Sequence, residues 1–250
     1  MGYLERLTVN EEAKASLLYD EHIARYQLVA SLVKNKTVLD IACGSGYGSA
    51  YLAQQGASRV LGIDIDQVTI SHNQAQYQSP TLEFKVGDAG RLDIPSESFD
   101  IITSFETIEH LKTIEAYLAE LQRVIKANGL VFISTPNKDV FQQKNPWHIK
   151  EFTKDEFKAW LEKYFSYVKI IEQKNAVASV IKVNDQTEGN INFNDSKTKA
   201  LYFIAVCSKE KVEVNLDNIV AANMTAYQAR ENNLGWRLVN WAYRMINFKR

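Results

Sequence analysis

The stretch Thr37–Ser49 reads TVLDIACGSGYGS, and its reading decides the fold. Val38, Leu39 and Ile41 form the apolar run that a buried strand needs. The run ends in a turn carrying Gly44, Gly46 and Gly48. Glycine lets a backbone turn sharply and lets a ligand approach it closely. A helix over roughly residues 48–55 follows, with its N-terminus aimed at whatever the turn holds. Strand, glycine loop and helix in this order open a nucleotide-type fold.

The loop narrows the ligand. A dinucleotide site wants G-x-G-x-x-G, with glycine near the pyrophosphate. Here Ala42-Cys43-Gly44-Ser45-Gly46-Tyr47-Gly48 gives G-x-G-x-G behind an alanine. No G-x-x-x-x-G-K-[ST] occurs, so a phosphate-cradling P-loop is excluded. Asp40 adds negative charge near the turn, which suits an ammonium group better than a phosphate. Taken alone, the loop also reads as a tight strand–helix turn with no ligand.

Working outward, strand and helix patterns alternate. Strands are expected at Thr37–Ile41, Arg59–Asp64, Leu82–Val86, Phe99–Phe105, Gly129–Ser134, Tyr167–Gln173 and Leu201–Ser208. Helices are expected near residues 11–34, 48–55, 67–76, 113–127 and 153–163. Alternating β and α predicts a parallel sheet with helices on both faces. Asn128-Gly129 reads as a helix stop before the fifth strand. The last two strands read as an antiparallel pair at one edge, joined by a polar loop over 182–199. Residues 215–248 read as a further helix rich in aromatics, among them Trp236, Trp241, Tyr243 and Phe248. That helix packs on the domain or on a second copy of the chain. Because Arg237, Arg244, Lys249 and Arg250 flank the aromatics, a membrane-surface helix stays open.

Composition bounds the function classes. The 250 residues suit one α/β domain with modest additions, and 46% apolar content supplies a core. Net charge is −1, against the basic face that nucleic-acid binding usually needs. Cys43 and Cys207 are the only cysteines, and no C-x-x-C or Cys/His spacing marks a metal site. The opening MGYLERLTVNEE has no apolar signal region, and no apolar run reaches the ~20 residues of a membrane span. The expectation is a cytoplasmic protein with reduced cysteines.

Three carboxylates close three successive strands: Asp40, Asp64 in RVLGID, and Asp88 in FKVGDA. The fourth strand, FDIITSF, runs into ETIEHL, and the fifth, GLVFIS, into TPN. Over Thr37–Pro136 this order resembles class I methyltransferases that use S-adenosylmethionine (AdoMet). The resemblance implies a Rossmann-like seven-stranded, mostly parallel sheet and AdoMet as cofactor, with S-adenosylhomocysteine as product. It implies cofactor contacts from Asp40, Ala42, Gly44 and Gly46 at the methionine end. Many members have glycine where Ala42 stands. The resemblance further places Asp64 on the ribose hydroxyls, which its two oxygens can accept in a bidentate contact. Ile65 falls on the adenine face, Asp88 and the Ala89 amide at the adenine amino group, and Phe105 with Glu106 under the sulfonium. Read bare, Asp64 is a strand-end carboxylate and Asp88 an Asx-turn cap in GDAG.

A looser likeness joins EHIARYQLVA, VLDIACGSGYGSAYLA and NPWHIKEFTKDEF to small-molecule and glycan methyltransferases of sugar and polysaccharide biosynthesis. The EHL after the fourth strand is similar to O-methyltransferases of quinone biosynthesis. A hydroxyl acceptor must lose a proton as the methyl arrives, so a base working near neutral pH is sought, histidine first. His148, in the loop after the fifth strand, is the first candidate and His110 the second; Glu106, Glu109 and Glu151 follow. Each has a plain alternative: His110 as a structural anchor of the EHL turn, His148 as an acceptor or loop contact. His72 reads as a surface residue, while His22 and Arg25 lie on an N-terminal helix that can close the site.

The expected organisation is a helical cap over residues 1–36, an AdoMet-binding domain over 37–209, and a helical extension over 210–250. The expected reaction is methyl transfer to a hydroxyl of a sugar, glycan or related small molecule, in a monomer or homodimer. An amino-sugar N-methyltransferase and a non-catalytic scaffold are the alternatives. A short-chain dehydrogenase would need Tyr followed four residues later by Lys, and no tyrosine here has that partner. A nucleic-acid amine methyltransferase would want an Asn/Asp-Pro-Pro-Tyr segment where SFET stands.

Overall fold

The computed structural model describes residues 17–141, 145–175, 199–214 and 216. Two compact units are present: residues 1–87 with 214–250, and residues 88–213. The expected C-terminal helix over 215–248 and the loop over 182–198 lie outside the described residues.

In the first unit, helix α1 (Leu17–Ala30) precedes strand β1 (Thr37–Ile41), helix α2 (Tyr47–Gln54), strand β2 (Arg59–Asp64), helix α3 (Gln67–Gln76) and strand β3 (Leu82–Val86). Strands β1, β2 and β3 pair in parallel, with Asp40 opposite Gly62 and Asp64 opposite Val86. Val38, Leu39, Asp40 and Ile41 are all buried, which is why this strand reads as a continuous apolar run rather than an alternating one. Helix α3 starts where the Asp66 carboxylate accepts the Val68 and Thr69 N–H groups at 2.8 and 3.3 Å.

The second unit carries strand β4 (Phe99–Ser104), a 3₁₀ turn (Ile108–His110), helix α4 (Ile114–Val124), strand β5 (Ile125–Pro136), helix α5 (Lys154–Leu161), strand β6 (Tyr167–Gln173) and strand β7 (Tyr202–Ser208). Ile114, Tyr117, Leu118, Leu121 and Val124 give α4 its buried stripe at helical spacing. Helix α5 opens on a capping box between Thr153 and Glu156. Strands β4 and β5 run parallel, whereas β7 is antiparallel to both β5 and β6. The sheet order is β3-β2-β1-β4-β5-β7-β6, the seven-stranded, mostly parallel Rossmann-like arrangement expected. No helix among the described residues is long and apolar enough to cross a membrane.

One boundary differs. Asn128-Gly129 does not stop a helix: α4 ends at Val124, and β5 already runs from Ile125. Pairing slips between Phe99↔Ile125 and Ile101↔Leu130, a bulge that absorbs the extra residues. A Cβ on Gly129 would lie 2.6 Å from the Ile125 side chain and 2.9 Å from the Asp100 carbonyl oxygen. The glycine therefore serves a close strand contact rather than a helix end.

Candidate functional site

The glycine loop at the end of β1 is held by backbone and by buried side chains. Ala42, Gly44 and Gly46 all have positive φ, at 55°, 50° and 73°. Gly46 is the N-cap of α2, and a Cβ there would meet Asn73 and Phe84 within 2.9 Å. Gly44 differs, because a Cβ there would touch nothing within 4 Å; its backbone fronts open space. Ala42, exposed, pays the left-handed penalty that glycine would avoid. The Asn73 amide donates to the Gly44 carbonyl at 2.7 Å and pins the turn from α3.

Asp64 sits at the end of β2 and is 4% exposed. Its Oδ2 accepts the Gly44 N–H and its Oδ1 the Asp66 N–H, both at 3.0 Å. These two bonds orient the carboxylate at the strand end. Ile65, next in the chain, is 67% exposed beside it, an apolar side chain open to a planar ligand. Asp40 faces the other way. It is fully buried, and its carboxylate accepts Ser49 Oγ at 2.6 Å and Tyr26 Oη at 3.3 Å. Asp40 is thus a buried carboxylate bonded to two protein hydroxyls beside the turn. Burial first, then the charges of Asp40 and Asp64, push the Cys43 thiol well above its ordinary range. The turn is thus a negative site, unfit for phosphate and suited to a cation.

Gly48 is a packing residue, not a ligand contact. A Cβ there would fall 1.9 Å from the Tyr26 ring, so only glycine lets α1 lay that ring over α2. Sequence reading missed Tyr26, Ser49 and Asn73, which act across long stretches of chain. Arg25 is fully buried, and burial with the Arg25 charge drops His22 to about 3. His22 is accordingly neutral at neutral pH.

In the second unit, Phe105 is buried and Glu106 follows it with φ 51°. Ser134 Oγ donates to Glu106 Oε1 at 2.6 Å, while the Glu106 N–H points back at Ser134 Oγ at 3.1 Å. This reciprocal pair holds a strained residue at the end of β4. Asp88 is exposed and accepts the Gly90 N–H at 2.8 Å, the Asx turn that its sequence allows, with Ala89 inside that turn.

The same unit gathers the expected proton carriers. Glu109 is buried at 1%, and Thr135 Oγ1 donates to its Oε2 at 3.1 Å. Its backbone carbonyl accepts the Ile149 and Lys150 N–H groups at 2.8 and 3.1 Å, which fastens the loop after β5 to the EHL turn. His110 and His148 thereby meet edge to face, ring centroids 4.9 Å apart. His110 Nδ1 lies 3.0 Å from the Trp147 carbonyl, an acceptor to which that nitrogen donates. His148 Nδ1 lies 3.2 Å from Glu151 Oε1, and its Nε2 lies 3.0 Å from the Asn145 amide nitrogen. A carboxylate behind an imidazole fixes which ring nitrogen bears the proton. His72 is exposed on α3 and takes no part.

Glycine loop, strand-end carboxylate and Rossmann-like sheet agree with a direct comparison: residues 39–133 match the methyltransferase-domain family. A Mycolicibacterium smegmatis protein named "Probable S-adenosylmethionine-dependent methyltransferase" is 32% identical over 160 residues, covering 62% of this chain and 61% of its own. A Rhizobium johnstonii ubiquinone biosynthesis O-methyltransferase is 26% identical, covering 70% of each chain. The chain spans 53% to 61% of the length of the mycobacterial relatives it matches. A TehB-like methyltransferase from Corynebacterium glutamicum shares the fold, with TM-score 0.53 and 20% identity over 75% of this chain and 88% of its own.

Proposed function

We propose that this protein transfers the methyl group of AdoMet to a hydroxyl of a small molecule, a sugar or glycan hydroxyl among the candidates. The observation that carries the reading is the Glu151–His148 pair in the loop after β5. It supplies what oxygen acceptors need and neutral amines do not: an imidazole backed by a carboxylate at Nδ1, whose Nε2 a hydroxyl reaches by displacing the Asn145 amide. His148 takes the acceptor proton; His110, 4.9 Å away between ring centroids, shapes the same spot. Asp64 takes the ribose hydroxyls of the cofactor, and Ile65 covers its adenine. Trp147 and Ile149, exposed at 51% and 54%, flank His148 with apolar surface that suits the C–H face of a sugar ring or an aromatic ring. The O-methyltransferase name of the Rhizobium relative supports oxygen as the target atom.

Methyl transfer from a sulfonium is a single displacement, so most of the work is alignment of acceptor and S–CH₃ bond. Purified protein with methyl-labelled AdoMet should label sugar, glycan or phenolic acceptors and release S-adenosylhomocysteine. Labelling of amino-sugar nitrogen alone would overturn the oxygen reading. Failure of folded protein to bind either adenosyl ligand by calorimetry would overturn the enzyme reading itself.

A further inference from the structure

We propose that Glu109, His110 and His148 form a site for one divalent transition-metal ion. One ligand atom from each of the three lies within 4.8 Å of the others. His110 Nε2 is 3.9 Å from Glu109 Oε1. Ligands around zinc at bond lengths near 2.0–2.1 Å sit roughly 3.3–3.5 Å apart, so side-chain rotation of about an ångström closes the cluster on an ion. Two imidazoles and one carboxylate select zinc, cobalt or nickel over magnesium and calcium, which prefer all-oxygen shells. Three protein ligands leave further positions open.

The surroundings are those of ligands already oriented. Metal-binding histidine usually gives its other ring N–H to a carboxylate or a carbonyl. His110 gives Nδ1–H to the Trp147 carbonyl and His148 gives Nδ1–H to Glu151, so both present Nε2. Thr135 orients the Glu109 carboxylate from behind. The ligands come from two segments far apart in sequence, which is why no metal spacing is legible in the chain. The Asn145 amide, 3.0 Å from His148 Nε2, must swing aside when an ion enters. A metal on His148 also removes the lone pair assigned to the acceptor proton, so zinc should slow methyl transfer and a chelator should restore it.

The test is calorimetric titration of tag-free protein with zinc chloride and, separately, cobalt chloride, with magnesium chloride as control. The expected result is one zinc or cobalt per chain and no saturable magnesium binding. His110→Ala and His148→Ala should each weaken zinc by at least tenfold, whereas Asn145→Ala should tighten it and exposed His72→Ala should leave it unchanged. Thermal melts establish that each variant is folded, and the partly exposed histidines keep the test usable should Glu109→Gln fail to fold. Absence of zinc binding, or affinity unchanged in both His110→Ala and His148→Ala, overturns the site. The titration needs neither cofactor nor acceptor. Zinc binding without AdoMet binding would therefore overturn the proposed function and leave this site standing.

Discussion

The glycine turn of the first unit and the imidazole cluster of the second solve positioning in opposite ways. At the turn, fixed charge is tied to backbone: Asp64 receives two main-chain N–H groups, and Asp40 is sealed under Ser49 and Tyr26. At the cluster, titratable rings are tied to a loop, and the loop is tied to a turn by the Glu109 carbonyl. The first arrangement fixes carboxylates in place through backbone and hydroxyl bonds. The second holds imidazoles, groups able to exchange a proton. Rigidity of charge and mobility of protons are thus built from different parts.

Substitutions separate the two. The largest effect is expected from His148→Ala: turnover should fall about 10²–10⁴-fold, the usual worth of a positioned base, with S-adenosylhomocysteine affinity nearly intact by calorimetry. Retained turnover would move the base to His110 or remove it. Asp64→Ala should do the reverse. It should weaken AdoMet binding by roughly 1.5–3 kcal/mol, through loss of a charged hydrogen-bonding partner, and unchanged affinity would sink the ribose assignment. Gly48→Ala drives a methyl into the Tyr26 ring and should cost about 1–3 kcal/mol in urea unfolding, by overpacking.

Acid titration probes α1. His22 is held at about 3 in the folded state, below its ordinary 6.5. Its contribution to stability is therefore complete above pH 6.5 and is lost progressively as pH falls toward 3, because the unfolded chain takes up the proton first. His22→Gln should flatten the acid limb of the stability curve, measured as urea midpoints across pH. The smallest effect is a gain: Ala42→Gly relieves a left-handed alanine and should stabilise by about 0.5–1 kcal/mol. A loss there would mean that the Ala42 methyl has a packing role.

Much of the fold was legible because burial writes itself into short apolar runs. Strands Thr37–Ile41, Arg59–Asp64, Leu82–Val86 and Tyr167–Gln173 and helix Gln67–Gln76 have the bounds that their patterns predict. The antiparallel edge was legible too, from two late strands separated by a polar, Asn/Asp-rich stretch of sequence. Asn128-Gly129 misled because the same residues that stop a helix also permit a bulge. At the site, Asp64 and the glycines were readable since a local turn demands them. Tyr26, Asn73 and Thr135 were not, since each acts on a residue distant in sequence and carries no local signature. Nothing in the spacing of His110 and His148 announced that their rings meet; only the docking of the loop on Glu109 brings them together.

That docking has a spectroscopic consequence. The Ile149 and Lys150 amide protons share one acceptor, the Glu109 carbonyl, at 2.8 and 3.1 Å. Their exchange with deuterium reports the fraction of time that His148 is held beside His110. An acceptor or an ion that engages both rings should slow these two amides together. A cofactor that engages only the glycine turn should leave their exchange as it was.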